Sequence, residues 1–378
     1  MTRSIKELLN GVEVEWKKLG EVATLKRGRV MSKQFLAENK GNYPVYSSQT
    51  ENNGEIGKID TYDFDGEYVN WTTDGARAGT VFYRTGKFSI TNVSGLINLY
   101  EDSHLNTKFL YYWLSIEAKK HVYSGMGNPK LMSNQVAKIP IPIPPLDIQK
   151  EIVRILDKFT ELTTELTTEL TTELTTRKKQ YAYYRDKLLS FEEGEVEWKM
   201  LGDALVRTKG TKITAAKMKE LHKDGAPVKI FAGGKTVAFV NYDDIPEKDI
   251  HDKPSIIVKS RGIIEFEYYD KPFSHKSELW SYHSEDKDID IKFVYYFLKT
   301  QEYYFRNLAS RMQMPQIATP DTDKFRIPIP PLEKQKEIVA ILDKFNALTN
   351  SITEGLPREI ELRQKQYAYY RDKLLLFA

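Results

Sequence analysis

Four ordered passages occur twice along these 378 residues, and this repetition limits the architecture more than any other feature. EVEWKKLGEV (13–22) returns as EVEWKMLGDA (195–204), and KFLYYWL (108–114) returns as KFVYYFL (292–298). IPIPPLDIQKEIVRILDKF (141–159) returns as IPIPPLEKQKEIVAILDKF (327–345), and RKKQYAYYRDKLLSF (177–191) as RQKQYAYYRDKLLLF (363–377). The offset is 182 positions for the first pair, 184 for the second and 186 for the last two, so length changes are confined to the first part of each half. An internal duplication predicts two copies of one structural unit. From IPIPPL onward the copies are close to identical, whereas Ser47 to Leu99 and Ala232 to Tyr282 can barely be aligned. A duplicated enzyme is expected to keep its catalytic residues and vary its scaffold. Here the scaffold is kept, which suits two domains that read two different targets.

The variable part of each half alternates short β-rich runs with turns. YVNWTT, GTVFYRTG and FSITNVSGLINLY in the first half, and SIIVKS, GIIEFEYYDKPFS and ELWSYH in the second, are rich in Val, Ile, Tyr, Phe and Thr between Gly, Asn and Asp, a composition that predicts strands and hairpins. KFLYYWLSIEAKKHVYS and KFVYYFLKTQEYYFRNLAS follow with apolar residues at helical spacing. The domain is therefore expected to be α+β, closed by IPIPPL, whose prolines should stop both helix and sheet.

A long helix is expected after each IPIPPL. Between Leu146 and Phe191 there is neither Gly nor Pro, and about 45 residues at roughly 1.5 Å each give a rod of about 65 Å. Apolar residues step by three and four from Ile148 through Leu174 to Leu188, a coiled-coil stripe. The segment TELTTELTTELTTELTT (160–176) keeps Leu and Glu on a four-residue step, although Thr is a poor helix former. Its counterpart, 346–362, has the same length, as two helices packed side by side require, which makes the segment a ruler. The second long element, Leu332 to Phe377, should break at Gly355-Leu356-Pro357, with Pro357 opening a new helix. The chain then reads as a domain over 1–145, a central helix over 146–193, a second domain over 194–331 and a C-terminal helical region over 332–378.

Charge and composition narrow the function only modestly. A formal charge of +3 is too small to identify a nucleic-acid binder, although Lys17, Lys18, Lys26, Arg27, Arg29 and Lys33 cluster early and Arg207, Lys209 and Lys212 cluster later. The absence of cysteine excludes disulfides and thiolate metal sites and suits a reducing compartment. The opening MTRSIKELLNGVEVEW lacks the apolar run of a signal peptide and no stretch reaches transmembrane length, so a cytoplasmic location with no membrane association is expected. No glycine-rich cofactor loop and no Asn/Asp-Pro-Pro-aromatic motif is present, and the six histidines have no metal-ligand spacing. GGKT (233–236) is not a phosphate loop, because Lys229 stands where its first glycine is needed. PDTDK (320–324) has no counterpart in the first half. The chain is therefore expected to be non-catalytic, with no metal or cofactor of its own.

EVEWKKLGEV, the doubled IPIPPL-x-x-QKEIV-x-ILDKF and QYAYYRDKLL passages, and the short Thr/Glu/Leu repeat between variable regions resemble the specificity subunits of type I restriction–modification systems over essentially the whole chain. The resemblance implies two target recognition domains, each reading one half of a bipartite double-stranded DNA sequence. It also implies antiparallel pairing of the two conserved helical regions about a pseudo-two-fold axis, setting the half-site spacing and docking two methyltransferase subunits. Restriction subunits can join the same complex. S-adenosylmethionine, and ATP with Mg where restriction is present, would belong to those partners. A non-enzymatic coiled-coil scaffold with two divergent protein- or glycan-binding domains is the alternative, and an enzyme with two divergent active sites is a third.

Direct readout needs Arg, Lys, Asn, Gln, Ser or Thr at loop tips. The candidates in the first half are Lys26, Arg27, Arg29, Ser48, Gln49, Asn52, Asn53 and Arg77; in the second they are Lys209, Lys212, Lys235, Lys259, Arg261 and His275. The repeat register also superposes SGMGNPKLM (124–132) on SRMQMPQIA (310–318). Pro129 falls on Pro315 while Asn128 and Lys130 give way to Met314 and Gln316, and Arg311 and Gln313 are further candidates. Trp71 and Trp280 are expected in the core.

Overall fold

The computed structural model describes residues 13–125, 127–309, 315–351 and 353–377. The chain divides into two compact units, residues 1–169 with 360–378, and residues 170–359. Each unit thus holds one domain, part of the helix that follows it, and a helix end from the other copy.

In the first unit, β1 (Glu15–Lys18) is followed by β2 (Ala23–Arg27), β3 (Lys40–Tyr46), β4 (Glu55–Ile59), β5 (Phe64–Thr72), β6 (Val81–Ile90) and β7 (Ser94–Leu99). Six of these form one sheet in the order β2-β7-β5-β6-β3-β4, in which β3 lies parallel to β6 and the other pairs are antiparallel. The runs whose composition predicts strands are β5, β6 and β7. The strands β3 and β4 carry Pro44 and Gly57 among polar residues and fall outside that pattern. Helix α1 (Thr107–Glu117) starts where the Asn106 side chain accepts from the Lys108 and Phe109 amides at 3.0 and 2.9 Å. It buries Phe109, Leu110, Tyr112, Trp113 and Leu114 against the sheet.

The IPIPPL segment differs from its expected role as a stop. Pro140–Ile143 is itself a strand, β8, paired antiparallel with β1. A two-stranded ribbon uses the N–H of every second residue, and Pro140 and Pro142 occupy alternate positions, so the missing donors cost the pairing little. Ile141 and Ile143 are buried. Helix α2 (Leu146–Leu188) then runs 43 residues without interruption through the Thr-rich repeat. There, hydroxyls bond back one turn, as Thr168 does to the Thr164 carbonyl at 2.7 Å and Thr175 to that of Thr171 at 2.9 Å.

The second unit repeats the plan with β9 (Glu197–Met200), β10 (Val206–Lys209), β11 (Val228–Phe231), β12 (Val237–Val240), β13 (Ser255–Lys259), β14 (Glu265–Tyr269), β15 (Phe273–His275) and β16 (Trp280–His283). One sheet has the order β10-β16-β13-β14 and another β12-β11-β15. Strand order therefore matches the first unit, except that the long β6 is represented by two strands, β14 and β15, parted by the Asp270-Lys271-Pro272 turn. Helix α3 (Ile291–Thr300), capped by Asp290, repeats α1. β17 (Arg326–Ile329) pairs with β9 as β8 pairs with β1. Helix α4 (Leu332–Asn350) ends before the expected break, where the Ser351 hydroxyl accepts from the Glu354 amide at 3.1 Å, and α5 (Gly355–Leu374) begins with Pro357 in its first turn. The stretch 346–362 thus contains the break, so its equal length is not that of a second uninterrupted helix.

One polar clasp recurs in both units. Gln149, fully buried, donates to the His104 and Pro144 carbonyls at 2.8 and 2.7 Å and accepts from the Asn106 amide at 2.8 Å. Gln335, also fully buried, donates to Asp288 and Pro330 at 2.8 and 2.7 Å and accepts from Asp290 at 2.8 Å. Each glutamine ties the loop before the capped helix to the IPIPPL exit. Alongside it, Asp157 receives Tyr112 at 2.6 Å and Lys108 at 2.8 Å, while Asp343 receives Tyr296 at 2.5 Å and Lys292 at 2.7 Å.

The cores are completed by exchanged helix ends. Ile148, Ile152 and Leu156 of α2 join Leu374 and Leu375 in the first core, where Phe377 packs edge-on against Phe109 and Trp113. Phe159 meets Tyr370, so α2 and α5 run antiparallel there. In the second unit Ile338 and Leu342 of α4 join Leu189, and Phe191 packs against Phe293. Tyr184 stacks on Phe345, the repeat-related counterpart of Tyr370 on Phe159.

Replacing either glutamine with leucine leaves buried amide and carbonyl groups without partners, a loss on the order of 2–3 kcal/mol. In hydrogen exchange, Gln149→Leu is expected to deprotect the start of α1 and Gln335→Leu the start of α3, each sparing the other unit. Equal loss in both units would contradict the local clasp.

Candidate nucleic-acid interface

The loops of the first unit gather around the turn between β6 and β7. β2 leaves the sheet at Gly28, where a Cβ would lie 2.0 Å from the Ile90 carbonyl oxygen, so only glycine fits. Arg29 then bridges Thr91. Arg27 turns its guanidinium to the Thr73 hydroxyl at 3.1 Å and to the Asn92 carbonyl. Thr91 donates its amide to the Tyr46 carbonyl at 2.9 Å, and its hydroxyl lies 2.9 Å from that of Ser47, drawing in the loop between β3 and β4. Thr73 donates its hydroxyl to Val93 at 2.8 Å, and its carbonyl accepts from the Leu131 amide at 2.8 Å. The Gly75 amide donates to Pro129 at 3.0 Å. The loop after β5 and the 123–131 loop are thereby braced together, with Asp74 opposite Lys130.

The second unit builds the same frame from different residues. A Cβ on Gly210 would lie 2.1 Å from the His275 carbonyl oxygen, and Thr211 bridges Lys276. The Lys276 amide donates to Phe231 at 2.8 Å, bringing in the β11–β12 hairpin, and Ser260 donates to the Glu278 carbonyl at 2.6 Å. The Ile317 amide donates to Ser260 at 3.0 Å and the Gly262 amide to Pro315 at 2.9 Å, which sets Arg261 opposite Gln316. The backbone brace is common to both units; the side chains it presents are not.

Most residues expected to contact nucleic acid lie exposed on these loops or at the ends of the strands that lead into them. In the first unit Lys26, Arg27, Arg29, Gln49, Asn52, Asn53, Arg77, Asn128 and Lys130 are exposed and Ser48 is half-buried. Arg29 is held by Asp63 at 3.0 Å, and Lys26 projects from the opposite face of β2 to Arg27. In the second, Lys209, Lys212, Lys235, Arg261 and Gln316 are exposed. Arg311 and Gln313 lie outside the described residues. The structure brings together Arg27, Asn128, Lys130 and the loop of Arg77 in one unit, and Arg261 with Gln316 in the other.

Two expectations are corrected. Lys259 is 5% exposed and paired with Glu265 at 2.7 Å and Glu267 at 2.8 Å, so its charge is spent inside the sheet. His275 has no exposed surface; its ring lies 3.2 Å from both the Lys276 carbonyl and the Ser281 hydroxyl. Each is the last residue of a strand, β13 or β15, whose inward face the sequence alternation did not reveal. Trp71 and Trp280 are core residues, as expected. Asp74, opposite Lys130, was not anticipated, although the aligned triplets Thr73-Asp74-Gly75 and Ser260-Arg261-Gly262 carry the signal.

The remaining motifs are structural. GGKT forms the β11–β12 hairpin rather than a strand-to-helix phosphate loop. Within PDTDK, Asp323 accepts from Tyr282 at 2.5 Å, and Thr322 accepts from the Trp280 indole at 3.1 Å. Among the described residues no group of His, Asp and Glu is arranged to hold a metal, and no helix is long and apolar enough to cross a membrane.

Comparison with known proteins gives a single family. The family described as "Type I restriction modification DNA specificity domain" matches residues 11–176 and 199–362. A putative type I specificity subunit of Mycoplasma pneumoniae is 33% identical over 371 residues, covering 96% of this chain and 98% of the relative. The specificity subunit of an Escherichia coli type I restriction enzyme is 34% identical over 406 aligned positions, covering 99% and 96%. Among solved structures, the type I S subunit from M. genitalium matches with a TM-score of 0.54 at 17% identity over 99% of this chain and 98% of that one. A chain from a structural study of type I complex assembly matches with a TM-score of 0.64 at 15% identity over 96% and 98%. These structural likenesses concern the fold.

Burial holds the His275 imidazole neutral, with its pKa lowered from 6.5 to about 4. As pH falls the unfolded chain takes up this proton first. The stability is therefore intact above pH 6.5 and lost progressively towards pH 4, by about 3 kcal/mol in all. Denaturant unfolding of His275→Gln between pH 6.5 and 5 is expected to show a flatter dependence than the unsubstituted protein; parallel curves would contradict it.

Proposed function

The chain belongs to the type I restriction–modification specificity subunits, with two target recognition domains, and on that premise we propose how its parts read DNA. Residues 1–145 and 194–331 each address one half of a bipartite duplex target. The helical regions 146–193 and 332–378 fix the spacer between the half-sites and dock two methyltransferase subunits, to which restriction subunits can be added. Catalysis, S-adenosylmethionine and ATP with Mg belong to those partners, and this chain acts as a non-catalytic adaptor.

The observation that carries this reading is the doubled brace. The same hydrogen-bonded frame holds Asp74 and Lys130 in one unit and Arg261 and Gln316 in the other. Lysine and arginine suit the acceptor edge of guanine, whereas glutamine suits the donor–acceptor edge of adenine. A fixed frame with exchanged tips is what two domains reading different half-sites need. The other exposed cations supply phosphate contacts, which position the protein on the duplex without sensing sequence. Local clusters of this kind explain how a net charge of only +3 is compatible with DNA binding.

Helix α2 carries the Thr/Glu/Leu repeat in one uninterrupted run. Deleting one four-residue unit shortens it by about 6 Å, on the order of two base pairs. Binding-site selection by the complex of the shortened chain with its methyltransferase subunits is expected to return the same half-sites with a shorter preferred spacer. Altered half-sites would contradict the division of labour, and loss of all sequence preference by the undeleted complex would overturn DNA reading itself.

A further inference from the structure

One cation of the first domain is buried where no carboxylate meets it. Arg84, on β6, is 2% exposed and forms no ion pair among the described residues. Its guanidinium lies 3.6 Å from the centre of the Tyr46 ring and 4.3 Å from that of Phe82. Nε donates to Asn70 Oδ1 at 3.3 Å, Nη2 donates to the Asn53 carbonyl at 2.7 Å, and Nη1 is buried without a partner. Burial lowers its pKa to about 10, which still leaves it charged at neutral pH. A buried charge kept in this way is costly, and a strand residue that served only packing would not require it.

What Arg84 holds is unusual backbone. Asn52, Asn53 and Gly54 all take positive φ, at 47°, 54° and 79°. Side chains other than glycine adopt this region singly, rarely in succession. Asn52 and Asn53 are exposed at the tip of the loop between β3 and β4. The turn is closed by the Ser47 amide on Gly54 at 2.9 Å and by the Gln49 side chain on Glu55 at 2.6 Å. Arg84 adds the bond that reaches the loop from below. Asn70, fully buried, carries the link onward, donating to the Ser94 hydroxyl at 2.7 Å and the Gly95 carbonyl at 2.8 Å beside the β6–β7 turn. The corresponding hairpin of the second unit, Ala232–Thr236, is shorter and bends at Gly233-Gly234.

We propose that Arg84 is a positioning residue for target recognition: from inside the first domain it locks Asn52–Gly54 in a left-handed turn and couples that turn to the braced loops, so that the asparagines are presented in one fixed pose. The proposal rests on the DNA-reading function above. Lysine cannot replace it, because one ammonium does not span Asn70 Oδ1 and the Asn53 carbonyl as the guanidinium fork does.

The test uses the full chain assembled with its methyltransferase subunits and duplexes carrying single substitutions in either half-site. Arg84→Lys and Arg84→Met are expected to lower discrimination in the first half-site about tenfold while leaving the second unchanged. Gly54→Ala keeps the arginine but places a methyl group 3.1 Å from Arg84 Nη2 at a positive φ, so it is expected to give the same selective loss. Hydrogen exchange of amides 48–55 in the isolated chain should rise at least tenfold in all three variants. Unchanged exchange in that loop, rescue by lysine, or equal loss at both half-sites would overturn the positioning role. Absence of any sequence preference in the unsubstituted complex would instead overturn the DNA-reading function, leaving the exchange measurement to decide the role of Arg84 in the loop.

Discussion

Neither core of this protein is closed by its own repeat. The helix end that seals the first core, Leu374 to Phe377, comes from the second copy, and the end that seals the second, Leu189 to Phe191, comes from the first. Burying a phenylalanine or leucine contributes roughly 1.5–3 kcal/mol, so each domain depends on a segment far away in sequence. This exchange explains why the passages ending QYAYYRDKLL are nearly identical. Each must fit a surface built by the other half, and each half presents the same α1- or α3-type helix to receive it.

The buried glutamines extend that logic to the polar backbone. Gln149 and Gln335 each satisfy three main-chain groups where a helix start, a loop and the IPIPPL exit converge. The aspartates Asp157 and Asp343 anchor α1 and α3 from the same helices. These contacts concentrate packing in the helices, the two-stranded ribbons and the rings of Phe191 and Phe377. The loop tips are left with few structural duties, which allows Asp74 and Lys130 to become Arg261 and Gln316 without loss of the frame.

Much of this was legible in the sequence because the duplication could be read directly. The helices after IPIPPL, the break before Pro357 and the strands β5, β6, β7, β13 and β16 all follow from spacing and composition. The strands β3 and β4 were missed because Pro44 and Gly57 mask a short polar pattern. The IPIP ribbons were missed because proline ordinarily marks a stop, and only pairing register shows that alternate positions tolerate it. Lys259 and His275 looked like contact residues because polarity does not reveal which face of a strand is buried. Arg77, Asn128, Lys130, Arg261 and Gln316 on the braced loops were named, but Asp74 and its place opposite Lys130 were not, since that pairing joins positions 56 residues apart. No repeat register can show which copy a helix end returns to. That is a tertiary choice, visible only in the packing of Phe191 and Phe377.

As a type I specificity subunit this chain is the part of a larger assembly that chooses DNA, with two recognition domains of common design. The most direct measurement is the pattern of methylated adenines laid down on random-sequence DNA by the chain combined with its methyltransferase subunit. A motif of two unlike half-sites separated by an unread spacer of fixed length is expected, with neither protein producing it alone. A single contiguous motif, or methylation without sequence preference, would contradict the account.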